Sequence, residues 1–194
     1  MKNIILFDMG GVLLQWKDNW LFDEVSQQLD IPFEKLKERF NENISELFVG
    51  KITEKQFWCR IIDGKMINPE IISQTFKTRS MLDYNVLNLA LSMKKSGFGI
   101  GILSNITPET RRIIPKDWLK EFDHVFFSDQ VKLAKPDPEI FSYVKEKLAD
   151  HHIIFIDDKQ ENVDVANRHG IQSILFKEYN SLLEELTKHV LVTP

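Results

Sequence analysis

The sequence predicts an α/β protein, a doubly wound parallel sheet with a small helical module inserted after its first strand. Three observations carry this prediction. Five short apolar runs each stop at a polar residue. Helical patterns separate most of them, and one long interval near the start holds helical stretches without a convincing strand.

The apolar runs are residues 4–7 (IILF) before Asp8, 99–103 (GIGIL) before Ser104, 124–127 (HVFF) before Ser128, 153–156 (IIFI) before Asp157 and 173–176 (SILF) before Lys177. Each is too short for a helix, and near-continuous apolarity suits strands buried on both faces of a parallel sheet. Between them, "YNVLNLALSMKKSG" gathers Val86, Leu87, Ala90, Leu91 and Met93 on one side, with Gly97 as a stop. "DPEIFSYVKEKL" carries a proline in its first turn, and "KQENVDVANRHG" presents Val163, Val165 and Ala166 before stopping at Gly170. Alternation of strand and helix implies right-handed crossovers. In such sheets reactive groups gather at the carboxyl ends of the strands.

The interval from about Gln15 to Asp83 breaks the alternation. It contains "PFEKLKERFNEN" and "TEKQFWCRIID", the second opened by Thr53 with Gln56 in capping-box spacing. Asn68-Pro69-Glu70 reads as a start for "PEIISQTFK". Trp16 and Trp20 stand at the beginning of the interval. The expected division is a core of residues 1–15 and 84–194 and a helical module of residues 16–83.

A chain of 194 residues accommodates one full domain plus such an insertion. Its 43% hydrophobic and 28% charged residues are those of a soluble globular protein. A net charge of -4 argues against a nucleic-acid partner. Cys59 is the single cysteine, which excludes an intramolecular disulfide, fits a reducing cytoplasm and reads as a small core residue of its helix. The apolar run after Met1 is too short for a signal peptide's hydrophobic region, and no run approaches a membrane span. The expected location is the cytoplasm; no feature marks an oligomeric interface.

Four polar clusters fall after four of the strands: Asp8, Ser104-Asn105, Lys135-Pro136 and Asp157-Asp158. A parallel sheet brings them to one crevice. Asp8 and Asp158 suit a hard divalent ion such as Mg²⁺, which takes one or two carboxylates and keeps waters for a phosphate. Lys135 offers a positive charge to phosphoryl oxygens and Ser104 a hydrogen bond. Asp8 can then attack phosphorus and form an aspartyl phosphate. Each cluster alone has a plainer reading as a turn or helix cap; their joint order is what signals chemistry. His151-His152 reads as a solvated turn, Arg111-Arg112 as a solvated helix face, and Asn162 and Asp164 as supports for the Asp158 carboxylate.

The stretches "FDMGGVL", "GILSNIT", "VFFSDQVKLAKPDPEIF" and "IIFIDDKQENVDVANRHGIQSILF" resemble the haloacid dehalogenase superfamily, in particular its phosphatase branch with a helical cap after the first strand. That resemblance implies a sheet order of 5-4-1-2-3 with Asp8 central. It makes Asp8 the nucleophile, places Ser104, Asn105 and Lys135 at the substrate phosphate, and gives Mg²⁺ the ligands Asp8, the Gly10 carbonyl and Asp158, with Asp157 assisting. The implied substrate is a small phosphorylated metabolite, plausibly a sugar phosphate. The departure is Gly10, where phosphatases of this family usually carry the second carboxylate of Asp-x-Asp, an acid–base group. The motif implies a slow or rewired enzyme, with Asp18, another cap residue or water in that role. The alternatives are a phosphate-binding module with little turnover and a 2-haloacid dehalogenase, for which the Asp157-Asp158 pair would be wasted charge. A receiver domain is excluded because its phosphorylated aspartate is not on the first strand.

Overall fold

A computed structural model describes residues 2–190. The chain opens with β1 (Lys2–Phe7), followed by β2 (Leu14–Gln15), four helices α1 (Asp18–Leu29), α2 (Phe33–Phe48), α3 (Glu54–Ile61) and α4 (Ile71–Arg79), and β3 (Met81–Leu82). It continues through α5 (Tyr84–Lys95), β4 (Gly99–Ser104), α6 (Pro108–Ile113), a 3-10 turn at Trp118–Glu121, β5 (His124–Phe127), α7 (Ser128–Val131) and α8 (Pro138–Lys147). The last elements are β6 (His151–Asp157), α9 (Gln160–Arg168), β7 (Gln172–Leu175) and α10 (Tyr179–Val190).

The sheet runs β5-β4-β1-β6-β7 with every neighbouring pair parallel. Counting only these five strands and starting from β7, this is the expected order 5-4-1-2-3, with β1 in the middle. Alternation along β1 divides the core between two faces. Ile5 and Phe7 join Val86, Leu87 and Ala90 of α5 with Leu182 and Leu186 of α10. Ile4 and Leu6 join Ile140, Phe141 and Val144 of α8 with Val165 and Ala166 of α9. Both faces are therefore covered, and this burial is why the strands read as continuous apolar runs.

The helices α1–α4 pack around their own cluster, which includes Phe22, Phe40, Phe57 and Trp58. This module leaves and rejoins the sheet domain through antiparallel β2 and β3, pairing Leu14 with Leu82 and Gln15 with Met81. This ribbon was not legible beforehand, because two-residue strands leave no periodicity. Trp16, directly after β2, packs against both the sheet cluster and the helical cluster.

Several local expectations meet the structure directly. Thr53 and Gln56 form the capping box of α3. Cys59, expected in the core, is exposed. The inward positions of α3 are 54, 57, 58 and 61, so residue 59 points outward, and the unexpected occupant of the inner face is Glu54. The fourth helix begins at Ile71, and Asn68 Oδ1 accepts instead from the N–H of Glu70 at 3.0 Å in the preceding turn. His151 and His152 open β6 rather than forming a turn, paired with Lys2 and Asn3. Arg111, expected to be solvated, donates from Nε to the buried Asp129 Oδ2 at 2.7 Å. Among the described residues no helix is long and apolar enough to cross a membrane.

Candidate active site

Register decides which polar residues meet. Phe7 lies opposite Ile102 on one side and Ile156 on the other, so Asp8, Ser104 and Asp157 leave the sheet at one edge. The Asp8 N–H donates to the Ile156 carbonyl at 2.8 Å, extending the ladder to the last ordered position before the loop. Lys135 enters from the connection between α7 and α8. Its Nζ stands 3.0 Å from Asp8 Oδ1 and 2.6 Å from Asp157 Oδ2. Lys135, Asp8 and Asp157 are 5%, 7% and 0% exposed.

The neighbouring aspartates 157 and 158 have different surroundings. Asp157 spends both oxygens on the protein: Oδ2 on Lys135, Oδ1 on the Lys159 N–H at 2.8 Å, and each at 3.0 Å from Asn162 Nδ2. It holds the lysine. Asp158 Oδ1 is buried and accepts no hydrogen bond. Carboxylate oxygens of Asp8, Asp157 and Asp158 lie within 4.8 Å of one another. An orphaned carboxylate oxygen in an all-oxygen cluster is what a hard divalent cation satisfies. Asn162, expected beside Asp158, serves Asp157, and Asp164 accepts from Gln160 Nε2 at 2.7 Å on the exposed side of α9.

Electrostatics follow from this crowding. Burial pushes Asp8 up to about 7; Lys135 pulls it down, and the charges of Asp157 and Asp158 add to the rise. Burial and the Asp157 charge push Asp158 up to about 6. Burial opposes charge on Lys135, but Asp157 and Asp8 outweigh it and hold the ammonium above its usual range.

Ser104 and Asn105 were expected at the phosphate, or else as a cap for the next helix. The cap of α6 is Thr107, whose side chain accepts from the Thr110 N–H at 3.1 Å. Ser104 is buried with only a long 3.5 Å contact from Oγ to the Asn105 carbonyl, so its hydroxyl is uncommitted. The Asn105 side chain is spent on the Lys135 backbone, accepting from N–H at 2.9 Å and donating to the carbonyl at 2.6 Å. It ties the end of β4 to the lysine loop.

The two glycines after Asp8 have separate reasons. Gly11 has φ +85°, and a Cβ there would stand 2.3 Å from Asp158 Oδ2; only glycine permits both the turn and the close carboxylate. At Gly10 a Cβ would make ordinary contact with Trp16, at 3.6 Å from Cδ1. The indole therefore borders the space that a side chain at this position would enter. Trp16 Nε1 donates to Asp18 Oδ1 at 2.8 Å, and Asp18 Oδ2 pairs with Lys159 Nζ at 2.9 Å. Burial tends to raise Asp18, yet Lys159 holds it below the usual carboxylate range. Gly11, Lys159 and Glu54 escaped the sequence reading. The doubled glycine was the available signal for the first, and the position beside the aspartate pair for the second.

A parallel α/β sheet presents a buried carboxylate cluster, an ion-paired lysine and an uncommitted hydroxyl at its carboxyl edge, where sheets of this class bind their ligands. The chain belongs to the haloacid dehalogenase-like hydrolase family, which it matches over residues 2–170. It is 36% identical over 186 residues to a phosphorylated carbohydrates phosphatase of Thermotoga maritima, covering 88% of this chain and 82% of that one. It is 28% identical over 213 residues to bifunctional epoxide hydrolase 2 of Rattus norvegicus, covering 95% of this chain but 38% of that protein's length. Among solved structures, a family enzyme from Bacteroides thetaiotaomicron in a magnesium complex shares 26% identity, with TM-score 0.71 over 91% of this chain and 93% of that one.

Proposed function

We propose that this hydrolase is a Mg²⁺-dependent phosphatase of small phosphate monoesters such as sugar phosphates, acting through an aspartyl phosphate on Asp8. The observation that carries the reading is the cluster itself: Asp8 bridged by Lys135 to Asp157, with Asp158 Oδ1 unsatisfied beside them. The Thermotoga phosphatase supports the substrate class.

Asp8 Oδ1 is committed to the Met9 N–H at 2.6 Å and to Lys135 at 3.0 Å. That leaves Oδ2 to attack phosphorus while the ester P–O bond breaks and the leaving oxygen takes a proton. Water then attacks the phosphoenzyme, returning Asp8 and inorganic phosphate. Lys135 and the Ser104 hydroxyl bind phosphoryl oxygens, Asp157 and Asn105 hold Lys135 in place, and residues 16–83 act as a cap that excludes water. Asp8, Asp158 and the Gly10 carbonyl would hold the ion, with Asp157 at their side; bound there, Mg²⁺ supplies neutralising charge for the phosphoryl oxygens.

The test is a panel of phosphorylated metabolites with and without chelator, alongside Asp8→Asn. Turnover that requires added Mg²⁺ and vanishes in Asp8→Asn is expected. Turnover persisting after complete metal removal would overturn the metal assignment. Gly10 favours a second reading, a phosphate-binding module, which a Mg²⁺-dependent affinity for phosphate without turnover of any ester would support.

A further inference from the structure

Lys159 is an ammonium at the edge of the carboxylate cluster that the reaction above does not use. It follows Asp158 directly and precedes α9. Burial opposes its charge, but Asp18, and then Asp158 and Asp8, outweigh it and hold the ammonium above its usual range. Its partner Asp18 opens α1 in the helical module, so the 2.9 Å pair joins the module to the sheet domain.

Two other links between the two parts are more enclosed. Glu54 Oε1 accepts from Thr107 Oγ1 at 2.9 Å, and Ser128 Oγ donates to the Phe48 carbonyl at 2.6 Å. The Lys159–Asp18 pair differs: its side chains are 54% and 46% exposed. Exposed ion pairs of long side chains are weak and exchange readily. If Lys159 leaves, Asp18 retains the Trp16 indole N–H and the field of Lys37, so no bare charge is left behind.

We infer that Lys159 is a second phosphoryl-binding cation, parked on Asp18 in the free protein and transferred to the substrate phosphoryl group when it binds. This rests on the phosphatase reading for the nature of the ligand. Neutralisation of Asp8 and Asp158 by the bound cation weakens their hold on Lys159, and an incoming phosphoryl dianion offers a stronger partner than an exposed carboxylate. Loss of the Asp18 contact then accompanies ligand binding, which couples occupancy of the site to the seating of the module.

The prediction is one of opposite signs for the two partners of one ion pair. With Mg²⁺ present, Lys159→Gln weakens inorganic phosphate binding about fivefold or more, whereas Asp18→Asn strengthens it about two- to threefold by releasing the lysine. In the double variant the Asp18→Asn gain disappears, because it acts through Lys159. Calorimetric titration of the full chain with inorganic phosphate reads all four proteins without turnover. KM for a hydrolysed ester should follow the same pattern. Changes of the same sign in both single variants would mean the pair only braces the module and would overturn the inference. So would an Asp18→Asn gain that persists in the Lys159→Gln background, since that is simple removal of a negative charge. A protein that binds phosphate with this pattern but hydrolyses no ester would keep the role of Lys159 and refute the phosphatase reading.

Discussion

Glu54→Gln tests whether burial governs the charge of the carboxyl that joins the helical module to the loop after Ser104. Glu54 is 1% exposed, and Oε1 accepts from Thr107. Burial raises its pKa from 4.5 to about 7; the nearby Glu109 charge adds to the rise, and Thr107 and the amides of Ser73 and Ile72 oppose it. Between these two values the folded protein keeps a proton that the unfolded chain has released. Stability therefore falls as pH rises through that window, by roughly 1.4 kcal/mol per pH unit and about 3 kcal/mol in all. The glutamine variant lacks this proton, so subtraction isolates Glu54 from Asp8 and Asp158. Urea unfolding of both proteins from pH 4.5 to 8 should show the wild type losing about 3 kcal/mol relative to the variant, with no further change above the folded pKa. Parallel stability curves would refute the reasoning, because they would mean that the α4 amides and Thr107 hold an ordinary carboxylate.

Gly11→Ala should destabilise the protein by about 1–3 kcal/mol through its positive φ. It should also raise the Mg²⁺ half-saturation of activity about tenfold or more by displacing Asp158; an unchanged half-saturation would remove Asp158 from the metal set. On the proposed mechanism the phosphoenzyme accumulates, so rapid-quench experiments with an activated ester should show a burst before slower turnover. Trp16 is the first group that a side chain at position 10 meets. Gly10→Asp alone should therefore leave the slow phase unchanged, and Gly10→Asp with Trp16→Ala should raise it by up to about 10²-fold; absence of a wild-type burst would refute this.

The sheet and its functional edge were legible because a buried parallel strand writes itself as an apolar run, and the residue that ends the run marks the edge. Asp8 and Asp157 were found that way, as was Ser104. Lys135 was singled out by its place after the third strand, but it stands in a loop beyond α7 and only the fold brings its Nζ to Asp8 and Asp157. That Asp157 holds Lys135 while Asp158 keeps an unsatisfied oxygen was not legible. Consecutive residues at a strand end diverge in direction, and the sequence shows only two identical side chains. Glu54 was hidden for the opposite reason: a charged residue on an otherwise apolar helix face reads as solvent-facing, whereas Thr107 and the start of α4 enclose it. Cys59 failed by the same count, one position away from Trp58 on the inner face.

Gly10 links the chemistry to the helical module. Among the described residues, no substitute stands ready for the acid–base group usual at that position. Both Asp18 oxygens are engaged, by Trp16 and by Lys159, and the low pKa of this carboxyl leaves it no proton to give near neutrality. Glu54 titrates in the right range but is enclosed and tied to Thr107. On the proposed mechanism, protonation of the leaving oxygen and activation of water then fall to solvent, at a cost of roughly 10²–10⁴ in rate. The group bordering Gly10 is Trp16, which a Cβ there would meet in ordinary contact and which packs on the sheet cluster and the helical cluster alike. Its indole N–H also orients Asp18, the partner of Lys159. Position 10 thus lies against the aromatic side chain through which the module and the carboxyl edge of the sheet are connected.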